Sequence, residues 1–292
     1  MKRTFLGRLL LAQILLAQGA RAVPVNQVFE ALNSGKSTQL EGITFEGNLD
    51  LGKLTGFERT GATAQTQYLE GGFFCRRCTF GGDFTLEDPD KYLVFRKAFV
   101  CLECVFKGRV ALPNSRFSSG LNVAGSQFEK VVNLSNIRVD TGANFEGVHF
   151  ALESNFSLAV FGGDATFFKT RFGGKVNLQN ARFLQDAVLR AAQFLQYADL
   201  SYLQVSGLTA LGEARFTGRV DLSHATLSGR LELRGAAFAQ GLDFQGSRVV
   251  LEADFASTQL GGPLNLARAN FLSGKPDLSK AVKGPGFVLL EP

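Results

Sequence analysis

From Phe128 to Phe271 the apolar residues of this chain recur in alternating steps of five and six. Phe145, Phe150, Phe156, Phe161, Phe167, Phe172, Leu178 and Phe183 set the pattern, and Phe255, Leu260, Leu266 and Phe271 still keep it at the far end. An α-helix gathers positions three and four apart, so steps of five and six would scatter this series around its axis. No ordinary strand has that period either. A fixed period held over most of a chain means stacked units, each burying an apolar face against the next.

Taking every fourth apolar position lengthens the repeat to twenty-two residues. One such column reads Phe80, Phe106, Phe128, Phe150, Phe172, Phe194, Phe216 and Phe238, then Leu260. With 28 Phe in 292 residues, eight in succession are a property of the column and not of the composition. One residue before another set of apolar centres runs a polar column: Asn133, Asn155, Asn177, Asp199, Asp221, Asp243 and Asn265. Two before each centre the residue is small or aliphatic, as at Val176, Ala181, Ala192, Ala198, Ala214, Val220 and Ala225. These columns predict a coil of four very short sides, stacked at a β spacing of roughly 4.8 Å. Phe rings one coil apart then stack offset, and the small residues face inward beside them. Each large apolar side chain so buried contributes about 1.5–3 kcal/mol, which a single coil could not realise alone.

The units ADLSY, ANFEG, ARFTG, VDLSH and ADFAS carry an apolar centre, a small residue two before it and mostly Asn or Asp between. This pattern resembles the pentapeptide-repeat proteins, in particular their Phe-rich variant with alternating five- and six-residue units, over roughly residues 37–274. The resemblance implies an all-β fold, a right-handed four-sided β-helix of about 22 residues per coil. The six-residue steps depart from the simplest family pattern and imply wider corners on alternate sides. About ten coils would make a rod on the order of 50 Å long.

Residues 1–22 stand apart. Lys2 and Arg3 precede a mostly apolar run from Leu9 to Ala20, and Ala20-Arg21-Ala22 is a small-x-small cleavage signal, so the segment reads as a secretory signal peptide. The run is too short to span a membrane comfortably, and no transmembrane span is expected in the mature chain. Lys2, Arg3, Arg8 and Arg21 supply four of the 31 basic residues against 26 acidic ones, so what remains is nearly neutral. A neutral exported chain lacks the electrostatic footprint of a nucleic-acid binder. Residues 23–36 follow as an N-terminal cap, with a short amphipathic helix from Pro24 to Asn33, apolar through Val28, Phe29 and Leu32 and stopped at Gly35. Loop insertions are expected at 52–68 and 87–91, and a cap or tail at 275–292 that covers the last coil or pairs end to end with a second copy.

Chemistry concentrates in four cysteines. Cys75-Arg-Arg-Cys78 and Cys101-Leu-Glu-Cys104 occupy matching repeat positions, offset by one coil plus four inserted residues. Cys75 and Cys101 are centres, while Cys78 and Cys104 lie two before Phe80 and Phe106, so all four sulfurs are predicted to point inward on adjacent coils. Paired C-x-x-C units suit a tetrahedral zinc site. Disulfides are the natural expectation in an exported protein, and stacked Cα atoms lie within their range. Four reduced core thiols are the third reading. No other cofactor is expected.

Elsewhere the residues favour structure over chemistry. His149 and His224 are expected outward on different coils, and the Gly-Gly pairs at 71–72, 81–82, 162–163, 173–174 and 261–262 serve corners, with no helix or Lys-Ser/Thr to make a phosphate loop. The Asp199, Asp221 and Asp243 ladder is expected to turn onto neighbouring backbone. Arg116, Arg138, Arg182 and Arg248 share one outward position and form a candidate contact strip. No catalytic residue is assigned. The sequence therefore points to an exported, non-enzymatic structural or protein-interaction scaffold of the cell envelope, periplasmic, cell-surface or extracellular. An envelope metal-binding or thiol-redox protein built on the cysteines is the alternative. The resemblance adds a third, since some pentapeptide-repeat proteins mimic duplex DNA and act on type II topoisomerases; export and near-zero charge oppose it.

Overall fold

The computed structural model describes residues 22–291. The expected signal peptide lies outside these residues except for Ala22, which with Val23 and Pro24 forms a strand beside Thr44–Glu46. Almost everything after it is coil. Short strands, most of two residues, assemble into four sheets of 12, 11, 10 and 11 strands. Pairing is parallel and in register at twenty-two residues: Phe128 with Phe150, Phe150 with Phe172, Phe172 with Phe194.

Each turn of the chain visits four sides in a constant order. A cysteine side (Cys75, Cys101, then Leu121–Asn122 onward) leads to a phenylalanine side (Phe80 to Leu260). Next comes an asparagine side, marked by Asn133 to Asn265, and then an arginine side, marked by Arg116 to Arg248. All eight members of the Phe column are buried, and their rings stack at centroid separations of 4.4–5.2 Å from Phe80 to Phe238. Phe45 extends the stack below, at 5.1 Å from Phe80. The small column is buried too: Ala181, Ala192, Ala198, Ala214, Val220 and Ala225 are at most 1% exposed.

The two step lengths correspond to two kinds of corner. On leaving the cysteine and asparagine sides, the outward Asn or Asp accepts the N–H two residues on. Asn144 takes Glu146 at 2.8 Å, Asn155 takes Ser157 at 2.9 Å, Asn177 takes Gln179 at 2.9 Å and Asp221 takes Ser223 at 2.8 Å. The residue after each turn then enters the left-handed region, as at Gly147, Leu158, Asn180 and His224 with φ of 63°, 61°, 58° and 56°. This tight turn closes the five-residue step. The other corners carry one residue more and rise directly onto the coil below. At Gly163 a Cβ would lie 2.9 Å from the carbonyl carbon of Thr141, and at Gly262 2.6 Å from that of Gln240, so these pairs are glycine because backbone occupies the space.

Both ends are modified. A helix over Asn26–Asn33 buries Val28 and Leu32 against the first coil, and Gly35 ends it at φ 66°. The segment 52–68, expected as a loop, contains more order than that. Glu58–Arg59 pairs antiparallel with Gln65–Leu69, which then joins the arginine side beside Lys91–Phe95. Its Thr- and Gln-rich composition hid the strand because only Leu69 carries the repeat's apolar centre. In the tail, Val282–Lys283 extends the phenylalanine side and Leu289–Leu290 the asparagine side. No helix among the described residues is long and apolar enough to cross a membrane.

Candidate functional site

The four cysteines converge as the register requires. Cys75 and Cys101 are direct ladder partners on adjacent coils. Val105 pairs with Thr79 and its N–H donates to the Cys78 carbonyl at 2.8 Å, which sets Cys104 over Cys78. All four are buried free thiols, at 0–3% exposure. Among the described residues no group of three or more His, Cys, Asp or Glu side chains is arranged to hold a metal ion.

Two sequence columns explain why cysteine fits here. Cys75 and Cys101 stand where later coils place Val123, Phe145, Phe167 and Leu189, all buried. Cys78 and Cys104 stand in the small column that continues through Ser126, Val148 and Thr170. Hydroxyls in that column donate to the carbonyl of a centre one coil below: Ser126 to Cys101 at 2.8 Å, Thr170 to Phe145 at 2.7 Å, Thr258 to Leu233 at 2.9 Å. The Cys78 thiol donates in the same way to Leu40, at 3.5 Å. Ser126 also accepts the Cys104 N–H at 3.0 Å, tying the cluster to the coil above. Sequence inspection overlooked this serine because it belongs to no motif, only to a column.

Burial pushes the Cys75 and Cys101 thiols well above their ordinary range. Cys78 is shifted the other way because the Cys104 and Cys75 thiols donate toward it. Outside the same corner, Arg77 pairs with Glu103 at 2.8 Å and Arg76 approaches it at 3.9 Å. The two C-x-x-C coils are thus held together on both surfaces of the wall.

The outward columns divide by side. On the cysteine and asparagine sides the Asn and Asp oxygens are engaged by backbone, as at Asp199, which accepts the Ser201 N–H at 3.0 Å and its hydroxyl at 2.6 Å. On the phenylalanine and arginine sides no such turn follows, and some outward side chains pair with one another, as Arg171 does in donating to Gln193 at 2.7 Å. Arg116, Arg138, Arg182 and Arg248 all project from the arginine side and are exposed. Arg116 and Arg138 converge on Asp140, each at 2.7 Å. Arg182 and Arg248 have no ion pair among the described residues. The candidate strip is therefore half neutralised, a division set by one corner carboxylate that column spacing does not show.

Both histidines are exposed, as expected, but His224 is not isolated. Its ring stacks on Tyr202 one coil below, centroids 5.0 Å apart, in a corner column that also holds Leu158 and Arg268. The sequence contained the spacing, yet a column of Asn, Leu, Tyr, His, Gly and Arg has no common chemistry to draw attention.

A four-sided coil of twenty-two residues, laid down in alternating steps of five and six around a Phe stack, makes this chain an all-β solenoid with one short helix near its start, the fold that the resemblance to pentapeptide repeats implies. No protein-family model and no curated protein matches it. Among solved structures it is similar to HetL, a pentapeptide repeat protein involved in heterocyst differentiation regulation from the cyanobacterium Nostoc sp. strain PCC 7120. The identity is 15%, the TM-score 0.30, and the match covers 90% of this chain and 98% of that one. The fold rests on this chain's own repeat and register, not on that likeness.

Proposed function

We propose that the chain is an exported scaffold of the cell envelope, docking a protein partner along its arginine side. The observation that carries this reading is the division of the outer columns. Two sides use their polar residues to hold corners, whereas the arginine side presents Arg182 and Arg248 to solvent without a carboxylate partner among the described residues. Apart from the four thiols and a few hydroxyls, the interior is apolar side chains packed around stacked rings. The basic start and small-x-small motif of residues 1–22 support export.

The test combines fractionation with capture. The full-length protein, expressed in its native host, should be recovered from the envelope fraction with an N-terminus at Val23. Capture of one discrete envelope protein by wild type but not by an Arg182→Glu/Arg248→Glu double variant supports the proposal. An intact N-terminus in the cytosol removes export, and unchanged capture by the double variant removes the arginine side.

The C-terminal end favours self-association as a second mode of contact. Val282, Val288, Leu289 and Leu290 are exposed there, and the Val282–Lys283 and Leu289–Leu290 strands are the last of their sheets. A metal-binding or thiol-redox role has one observation in its favour, the gathering of the four sulfurs. Reactive thiols need access to solvent, and these have almost none.

A further inference from the structure

Four thiols brought together from two coils invite a covalent outcome, and the arrangement discriminates among the candidates. Tetrahedral coordination requires every sulfur to lie equally close to the other three. Here the sulfurs form two stacked pairs in adjacent columns, Cys75 with Cys101 and Cys78 with Cys104, and among the described residues no three such groups are arranged to hold a metal ion. Two bridges need only those two stacked pairs. In-register parallel partners stand at a Cα separation of about 4.8 Å, inside the range of roughly 4.4–6.8 Å that a disulfide accepts. Cys75 and Cys101 are such partners, and Cys78 and Cys104 continue the same alignment around the corner, where Arg77 and Glu103 share a φ of 52° and 53°. The two C-x-x-C corners are therefore superposed, and the bridges that match this superposition run between coils.

We propose that Cys75 joins Cys101 and Cys78 joins Cys104 as two stacked disulfides that lock these coils to each other. Each bridge forms by two exchanges with a disulfide-bearing oxidant. One cysteine thiolate attacks the oxidant, expelling one of its sulfurs as thiolate. The partner cysteine thiolate then attacks the mixed disulfide and expels the other. Two S–H protons pass to solvent, and the two electrons leave on the reduced oxidant. Because the sulfurs are 0–3% exposed once the wall is closed, the oxidant meets them while the coils are still assembling. The proposal stands on the coil register, independently of the export reading.

The chain itself supplies the means to map the pairing. Trypsin cuts after Arg76 and Arg77 and so separates Cys75 from Cys78; a glutamate-specific protease cuts after Glu103 and separates Cys101 from Cys104. Full-length protein is unfolded in urea, refolded in a buffer of oxidised and reduced glutathione, blocked with iodoacetamide and digested with both enzymes. The expected products are a Cys75 peptide linked to a Cys101 peptide and a Cys78 peptide linked to a Cys104 peptide. Bridges within each C-x-x-C unit, diagonal bridges, four alkylated thiols, or a reduced protein that retains metal in native mass spectrometry would each overturn the proposal. Two double variants guard against misfolding as an explanation. Cys75→Ala/Cys101→Ala should still form its remaining bridge, whereas Cys75→Ala/Cys78→Ala should stay reduced. Because the oxidant is added in vitro, failure here leaves the export reading untouched.

Discussion

Phe194 and Phe216, twenty-two residues apart in the chain, lie with ring centroids 4.4 Å apart and planes inclined by 11°. Neither ring has another place to go, since both are buried and the neighbouring coils above and below fill the rest of the column. Removing one ring therefore opens a void bounded by two others. We expect Phe194→Ala to cost about 3–5 kcal/mol, measured as a shift of the guanidinium unfolding midpoint. Phe271→Ala, at a partly buried end position, should cost less than half as much. Equal losses at the two sites would contradict a continuous stacked core.

The corner turns make a second, smaller contribution. Asn155 accepts the Ser157 N–H at 2.9 Å, and Asn155→Ala should cost about 0.5–2 kcal/mol, the range for side-chain caps on unpaired backbone N–H groups. On the arginine side, exposed Gln204 makes no such turn, and Gln204→Ala should stay within about 0.5 kcal/mol. The pair of variants, compared in one thermal series, separates corner chemistry from mere surface change.

Leu158 is an anomaly in its column. It holds φ 61° and is 53% exposed, between Asn136 and Asn180 at the equivalent corners. Leucine in the left-handed region carries a penalty of roughly 1–2 kcal/mol that Asn partly escapes through local hydrogen bonding. Asn136 already donates to Asn114 one coil below, at 2.8 Å. Leu158→Asn would continue that ladder and should raise stability by about 0.5–1 kcal/mol, read as a higher melting temperature; a decrease would refute the strain.

Asp254 supplies a pH test. The Ala256 N–H, and after it the Arg234 guanidinium, hold its carboxyl below the usual carboxylate range. A group depressed in the folded state stabilises the fold above its unfolded pKa and loses that contribution as pH falls through the lower folded value. Asp254→Asn keeps an acceptor for the turn but cannot titrate. Its unfolding midpoint should depend less on pH below the unfolded carboxylate pKa than that of wild type, with the two curves drawing together as the solution becomes acid.

At the C-terminal end, exposed Leu289 and Leu290 close the asparagine side. If a second copy docks there, light scattering after size exclusion will report a dimer for wild type and a monomer for Leu289→Glu/Leu290→Glu. A wild-type monomer at every concentration tested would remove the end-to-end contact.

How much of this was legible beforehand follows from what a column can encode. The Phe stack, the inward alanines and the inward direction of all four cysteines depend on spacing alone, and a strict period transmits them from Phe80 to Phe238. The Asn and Asp turns were also legible, because those side chains bond to backbone two residues away whatever surrounds them. What spacing cannot carry is lateral choice. That Asp140 binds both Arg116 and Arg138, or that Ser126 fastens Cys104 to Cys101, depends on which neighbouring coil a side chain leans toward. The strand Gln65–Leu69 was hidden for a related reason: it pairs through backbone, with too few apolar centres to register in the pattern.

The parallel register also turns the arginine side into a ruler. Arg182 and Arg248 are separated by three coils, about 14 Å at the spacing of β-strands, and neither bending nor breathing of one coil can alter that distance much. Any protein that grips both must carry its own acceptors at a matching interval, and evolution could lengthen or shorten the gap only in whole storeys of twenty-two residues.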